Sequence, residues 1–236
     1  MNPALNPVFV ALDTTDLGRA RHMAATVRAS VGGLKLGLEF FNAHGPAGVR
    51  PFIEMGLPVF LDLKYHDIPN TVAGAARAAA GLGVSILNLH AQGGAAMMRA
   101  GLEAAKSVSP STKVIAVTML TSLADEDLPP LGLKPPVADQ VLRLAALAQQ
   151  CGLDGVVCSA HEIVRLRKEV GRDFLLVVPG IRPAGSALGD QRRVMGPAEA
   201  RDAGATILVI GRPITGASDP AGAAREIAQS LCISAG

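Results

Sequence analysis

A chain of 236 residues, 49% hydrophobic and 18% charged, can bury one sizeable core and is too apolar to be disordered. A formal charge of +2 with no run of like charges, 3% aromatic residues and no Trp leave few means of holding nucleic acid, which is excluded as a partner. Cys151, Cys158 and Cys232 form no CxxC pair, so reduced thiols are expected in place of a zinc site or a disulfide framework.

The opening "MNPALNPVFVALD" lacks the basic segment and long apolar stretch of a signal peptide. No uninterrupted apolar run reaches membrane-spanning length, so a soluble, cytoplasmic protein without a membrane partner is expected. Strands are predicted at 8–13 (VFVALD), 33–38 (GLKLGL), 59–64 (VFLDLK) and 85–90 (SILNLH). Four more follow at 113–120 (KVIAVTML), 155–160 (GVVCSA), 174–180 (FLLVVPG) and 206–212 (TILVIGR). The longest interval follows the fifth strand, where the polar, Pro-rich "SLADEDLPPLGLKPP" precedes the helix "VADQVLRLAALAQQ". Eight strands alternating with helical stretches imply an α/β fold, a (β/α)8 TIM barrel occupying residues 1–236 as a single domain. An open doubly wound sheet fits less well, because no GxGxxG follows the first strand.

Barrel chemistry lies where strands end and βα loops begin, and the charges of this chain collect there. Asp13 ends strand 1, Lys35 lies in strand 2, Asp62 and Lys64 close strand 3, and Asp67 follows in the loop. Strand alternation puts residues 62 and 64 on one face, toward the mouth. A lone Asp–Lys pair is more often an ordinary ion pair; several charges at one end of otherwise apolar strands are not so easily explained. Grouped carboxylates and ammoniums must pair with one another to offset desolvation, and such an array suits a reaction that forms and quenches a carbanion. The loops "PGIRPAGSALGDQRR" after strand 7 and "IGRPIT" after strand 8 offer Arg182, Gln191, Gly211 and Arg212 as a phosphate site. Taken alone, they read equally well as surface loops with ordinary arginines. His66 and His90 have no second ligand at metal spacing and are expected to be structural, and Met97–Met98 to pack a helix.

Together "ALD", "LKLG", "DLKYHDIPNT", "VTMLTS", "VVPGIRP", "GDQRRV" and "LVIGRPIT" make the chain resemble the orotidine 5′-phosphate decarboxylases nearly end to end. The resemblance implies decarboxylation of a small-molecule nucleotide, orotidine 5′-phosphate, to UMP and CO2 in pyrimidine biosynthesis, without cofactor or metal. It implies an alternating array of Lys35, Asp62, Lys64 and Asp67, with Lys64 protonating C6 and Asp62 beside the departing carboxylate. Asp13 and Lys35 would bind ribose hydroxyls, and Thr121 and Ser122 the nucleotide from the strand 5 loop. Arg182, Gln191, Gly211 and Arg212 would hold the phosphate. Ile68 joins the substrate-binding set, and Asp67 and Thr71 would enter the site of the other subunit of a homodimer. Two rivals remain. A decarboxylase or synthase of the same superfamily that acts on sugar phosphates would use Mg2+ held partly by a strand 2 carboxylate, where this chain has Lys35. A non-catalytic nucleotide-binding barrel would have no need of a proton donor opposite a carboxylate.

Overall fold

The structure, a computed structural model, describes residues 6–183 and 195–231. Eight parallel strands close into a barrel in chain order: β1 (Val8–Ala11), β2 (Gly33–Gly37), β3 (Val59–Tyr65), β4 (Ile86–His90), β5 (Lys113–Val117), β6 (Gly155–Val157), β7 (Leu175–Pro179) and β8 (Ile207–Ile210). The ladder from Val8↔Leu208 to Val10↔Ile210 joins β1 to β8 and completes the circle. The predicted (β/α)8 barrel is therefore the observed one. Helices α1 (Leu17–Val27), α2 (Leu38–Glu54), α3 (Pro69–Ala80), α4 (Gly94–Val108), α5 (Val137–Gln150), α6 (Ile163–Val170) and α7 (Pro197–Ala203) fill the intervals between strands. The short α8 (Arg212–Thr215) and α9 (Pro220–Ser230) follow β8.

Period-two alternation divides the core in two. Phe9, Ala11, Phe60, Ile86, Ile115, Val177, Ile207 and Val209 fill the barrel interior as one buried cluster. Their outward neighbours, such as Val8, Val10, Leu34, Leu36 and Leu61, pack with the helices in a second cluster that includes Met97 and Met98 of α4. Cys151 and Cys158 are free and buried, as expected of thiols used for packing; Cys232 lies outside the described residues. Several predicted strands run too far at their C-terminal ends: the β5 ladder stops at Val117, not 120, and the β6 ladder at Val157, not 160. Just past these ends Thr118 Oγ1 donates to the Val157 carbonyl at 2.9 Å and the Cys158 N–H to the Val177 carbonyl at 3.1 Å.

The opposite rim carries a salt-bridged clamp. Asp154 meets Lys113 at 2.8 Å and Lys106 at 3.1 Å, and accepts the Val114 N–H at 2.9 Å. Burial alone would raise its carboxyl, but these three donors hold it below the usual range. None of the described helices is long and apolar enough to cross a membrane.

Candidate active site

A cavity of about 300 Å³ opens at the C-terminal end of the barrel. Asp13, Lys35, Asp62, Lys64, Thr121, Arg182, Gly211 and Arg212, all singled out from the sequence, line it. Its floor is the apolar interior, including Ala11, Phe60, Val177 and Val209. Polar groups therefore ring a low-dielectric floor, the arrangement in which fixed charges act most strongly.

The charges form a chain. Lys35 Nζ donates to Asp13 Oδ1 at 2.9 Å and lies 3.5 Å from Asp62 Oδ2. Lys64 Nζ donates to Asp62 Oδ1 at 2.6 Å. Lys35 and Asp62 are buried, Lys64 is half-buried and Asp13 is exposed, so the chain runs from solvent into the core. Burial pushes the Asp62 carboxyl up, but Lys35, Lys64 and the hydrogen bonds from Lys64 and Asn88 outweigh it and hold the carboxyl below its ordinary value. Gly37 leaves room for this chain: a Cβ there would stand 2.8 Å from Lys35 Nζ and 3.2 Å from Asp13 Oδ1, so the ion pair would have to shift.

Asp62 and Lys64 meet, but not through simple strand alternation. The register of β3 on β4 slips between Leu61↔Leu87 and Tyr65↔Leu89, so residues 62–64 bulge opposite Asn88 alone. Lys64 occupies the left-handed region, with φ 52°, which a side chain rarely adopts without compensation. The compensation comes from Asn88, which the sequence reading passed over. It is fully buried, its Oδ1 accepts the Lys64 N–H at 2.8 Å, and its Nδ2 donates to Asp62 Oδ1 at 2.7 Å. The available signal was a single amide in the apolar strand "SILNLH".

At the other side of the mouth, Gly180 turns the chain out of β7 with φ 77°, and Arg182 donates its backbone N–H to the Met195 carbonyl at 3.1 Å. Arg182 is buried and Arg212 exposed; burial and the Arg212 charge draw the Arg182 guanidinium below its ordinary range. Two cations facing one cavity define a place for an anion. At Gly211 the nearest atom to an added Cβ would be Ala11 Cβ at 3.6 Å, an ordinary contact, so the room left by the glycine opens onto the cavity.

Not every candidate lies here. Asp67 and Ile68, between β3 and α3, and Thr71, in the first turn of α3, are exposed and outside the cavity lining. Asp67 Oδ1 accepts the Ile68 N–H at 2.6 Å. Ser122 is exposed and also outside the lining, and Gln191 lies outside the described residues. His66 and His90 stack with ring centroids 5.4 Å apart. Burial, then the charges of His66 and Lys64, lower the His90 imidazole to about 4, so it remains neutral behind the array.

Residues 6–227 match the model of the orotidine 5′-phosphate decarboxylase / HUMPS family. The chain belongs to that family. Among its relatives, the orotidine 5′-phosphate decarboxylase of Rhodospirillum rubrum is 58% identical over 233 residues, covering 96% of this chain and 94% of that protein. That of Moorella thermoacetica is 53% identical over 234 residues, covering 97% of this chain and 93% of the relative. The solved orotidine 5′-phosphate decarboxylase of Lactobacillus acidophilus superposes with a TM-score of 0.83 at 38% identity, covering 96% of this chain and 99% of that structure. Members of the family thus share with this chain its barrel and nearly its full length.

Proposed function

We infer that this protein decarboxylates orotidine 5′-phosphate to UMP and CO2, a step of cytoplasmic pyrimidine biosynthesis, with no cofactor. The observation that carries the reading is the Asp13–Lys35–Asp62–Lys64 chain at the cavity mouth opposite Arg182 and Arg212. The phosphate sits between the two arginines beside Gly211, and the ribose hydroxyls meet Asp13 and Lys35. The pyrimidine lies over Lys64, with Thr121 and Ser122 near its edge. The bond from C6 to the carboxylate breaks, its electron pair stays on C6, and CO2 leaves. Lys64 Nζ gives that carbon its proton, becomes a neutral amine, and is reprotonated from solvent. Asp62, kept ionised by two lysines, repels the substrate carboxylate and then stabilises the ammonium that faces the developing carbanion.

The second part of the reading is a homodimer with shared sites. Asp67 and Thr71 are exposed and outside the lining of their own cavity, which leaves them open to a neighbour's site.

The test is loss of orotate absorbance with orotidine 5′-phosphate in the presence of EDTA, for the parent and for Lys64→Ala. Turnover by the parent and none by the folded, UMP-binding variant is expected. A parent that leaves orotidine 5′-phosphate unchanged but turns over a sugar phosphate only with Mg2+ would favour the rival enzyme of the same superfamily. A variant that keeps more than a small fraction of the parent rate would end the proton-donor role.

A further inference from the structure

We propose that Asn88 is a positioning residue for this reaction: its side-chain amide sets the bulge in β3 and thereby the distance between Asp62 and Lys64. The inference rests on the decarboxylase reading above. Asn88 is a fully buried amide inside an apolar strand, opposite three residues of β3 where the ladder offers one. Both ends of the amide are used, and each has one chemically permitted orientation. The Lys64 N–H can only donate, so it takes Oδ1; the ionised Asp62 carboxylate can only accept, so it takes Nδ2. The amide thus supplies the acceptor that Lys64 finds at positive φ and fixes the carboxylate oxygen that Lys64 Nζ grips at 2.6 Å.

No other common side chain of this size does both. Leucine has the volume and neither bond, while an ionised aspartate has the acceptor and would repel Asp62. Without the amide, β3 is free to relax toward ordinary strand geometry, because a left-handed residue persists only where its surroundings hold it. The Lys64 ammonium would then swing away from the carboxylate, and small displacements of a proton donor are costly in rate.

Two variants of the full chain test this in the same assay. Asn88→Leu is expected to lower kcat by roughly ten- to a few hundred-fold, the loss of a hydrogen bond to a charged group expressed as rate. UMP affinity, governed by phosphate and ribose contacts, should stay within about threefold of the parent, because a positioning defect appears in kcat and not in ground-state binding. In Asn88→Asp the new carboxyl donates to Asp62 only while protonated, with Lys35 and Lys64 as the other charges around it. Its kcat should therefore fall as pH rises, a limb absent from the parent and from Asn88→Leu. An Asn88→Leu kcat within about twofold of the parent, or a loss matched by the unfolded fraction in circular dichroism, would overturn the proposal. If Asn88→Leu does not fold, a parental rate and pH profile for Asn88→Asp overturns it equally. Failure of the inference alone would leave Lys64→Ala dead in the same experiment, whereas failure of the decarboxylase reading would leave the parent itself without turnover.

Discussion

At Lys64 a cation, a carboxylate oxygen and a left-handed backbone occur within one residue of contact, and none would persist alone. Desolvating Asp62 would favour its neutral form, but two lysines and an amide reverse the balance, so it is the ionised carboxylate that the fold selects. Its contribution to stability is present above the ordinary carboxylate pKa and is lost as pH falls through the lowered value in the folded state. His90, half-buried, is a base kept neutral by its surroundings. The folded imidazole titrates at about 4 and the unfolded one at 6.5, so between those values only the unfolded chain takes up the proton. Stability is therefore complete above 6.5 and declines as pH falls toward 4, below which both states are protonated. His90→Gln should flatten the drop in Tm between pH 7 and pH 5 relative to the parent, measured by thermal melts in matched buffers. An unchanged slope would mean that other groups set the acid sensitivity.

The elements were legible because each strand is an apolar run bounded by a helical stretch, and eight such runs permit few other folds. Their C-terminal ends were not, because the residues just past the ladders stay buried or apolar, Thr118 within the fold and Met119 in the cavity lining. The contact between Asp62 and Lys64 was expected from alternation and arises instead from a bulge, which depends on a partner 26 residues away that no local pattern reveals. The β7 and β8 exits read ambiguously for a similar reason, since two arginines far apart in sequence mean little until the barrel brings both to one cavity. They yield a prediction about remote binding energy. If Arg212 grips the phosphate, its contact positions the ring and appears in the rate as well as in affinity. Arg212→Ala should lower kcat/KM for orotidine 5′-phosphate by roughly ten- to a few hundred-fold, from the ~1.5–3 kcal/mol of a charge-assisted hydrogen bond. The slow reaction of orotidine, which lacks the phosphate, should be nearly untouched, and free phosphite should activate the parent on that nucleoside. Equal losses on both substrates would mean that Arg212 supports the fold, and the phosphate assignment would fall.

At the scale of the whole molecule, the mouth of the barrel carries both charge and apolar surface. Ile68 between β3 and α3, Leu38 at the start of α2 and Leu120 after β5 are large exposed hydrophobic side chains on loops and helix starts that follow strands, the same end of the barrel as the cavity. Large apolar side chains left exposed are one kind of surface that a second subunit can cover, and the proposed homodimer would place Asp67 and Thr71 in the partner's cavity. The arithmetic of a two-fold dimer makes this testable without a further structure. Lys64→Ala and Asp67→Ala should each be nearly inactive. If each site combines Lys64 of one subunit with Asp67 of the other, a mixed dimer has one site lacking both groups and one site lacking neither. Equal mixing with free subunit exchange makes half the dimers mixed, so about a quarter of all sites should regain full function. The measurement is decarboxylation after exchange, with the mixed species verified by native mass spectrometry and the unmixed variants assayed alongside. Recovery near that fraction would carry Asp67 across the interface. Verified mixed dimers that stay inactive would instead place both groups in the same subunit's site, and the exposed β3–α3 loop would then have to fold back over its own cavity when substrate binds.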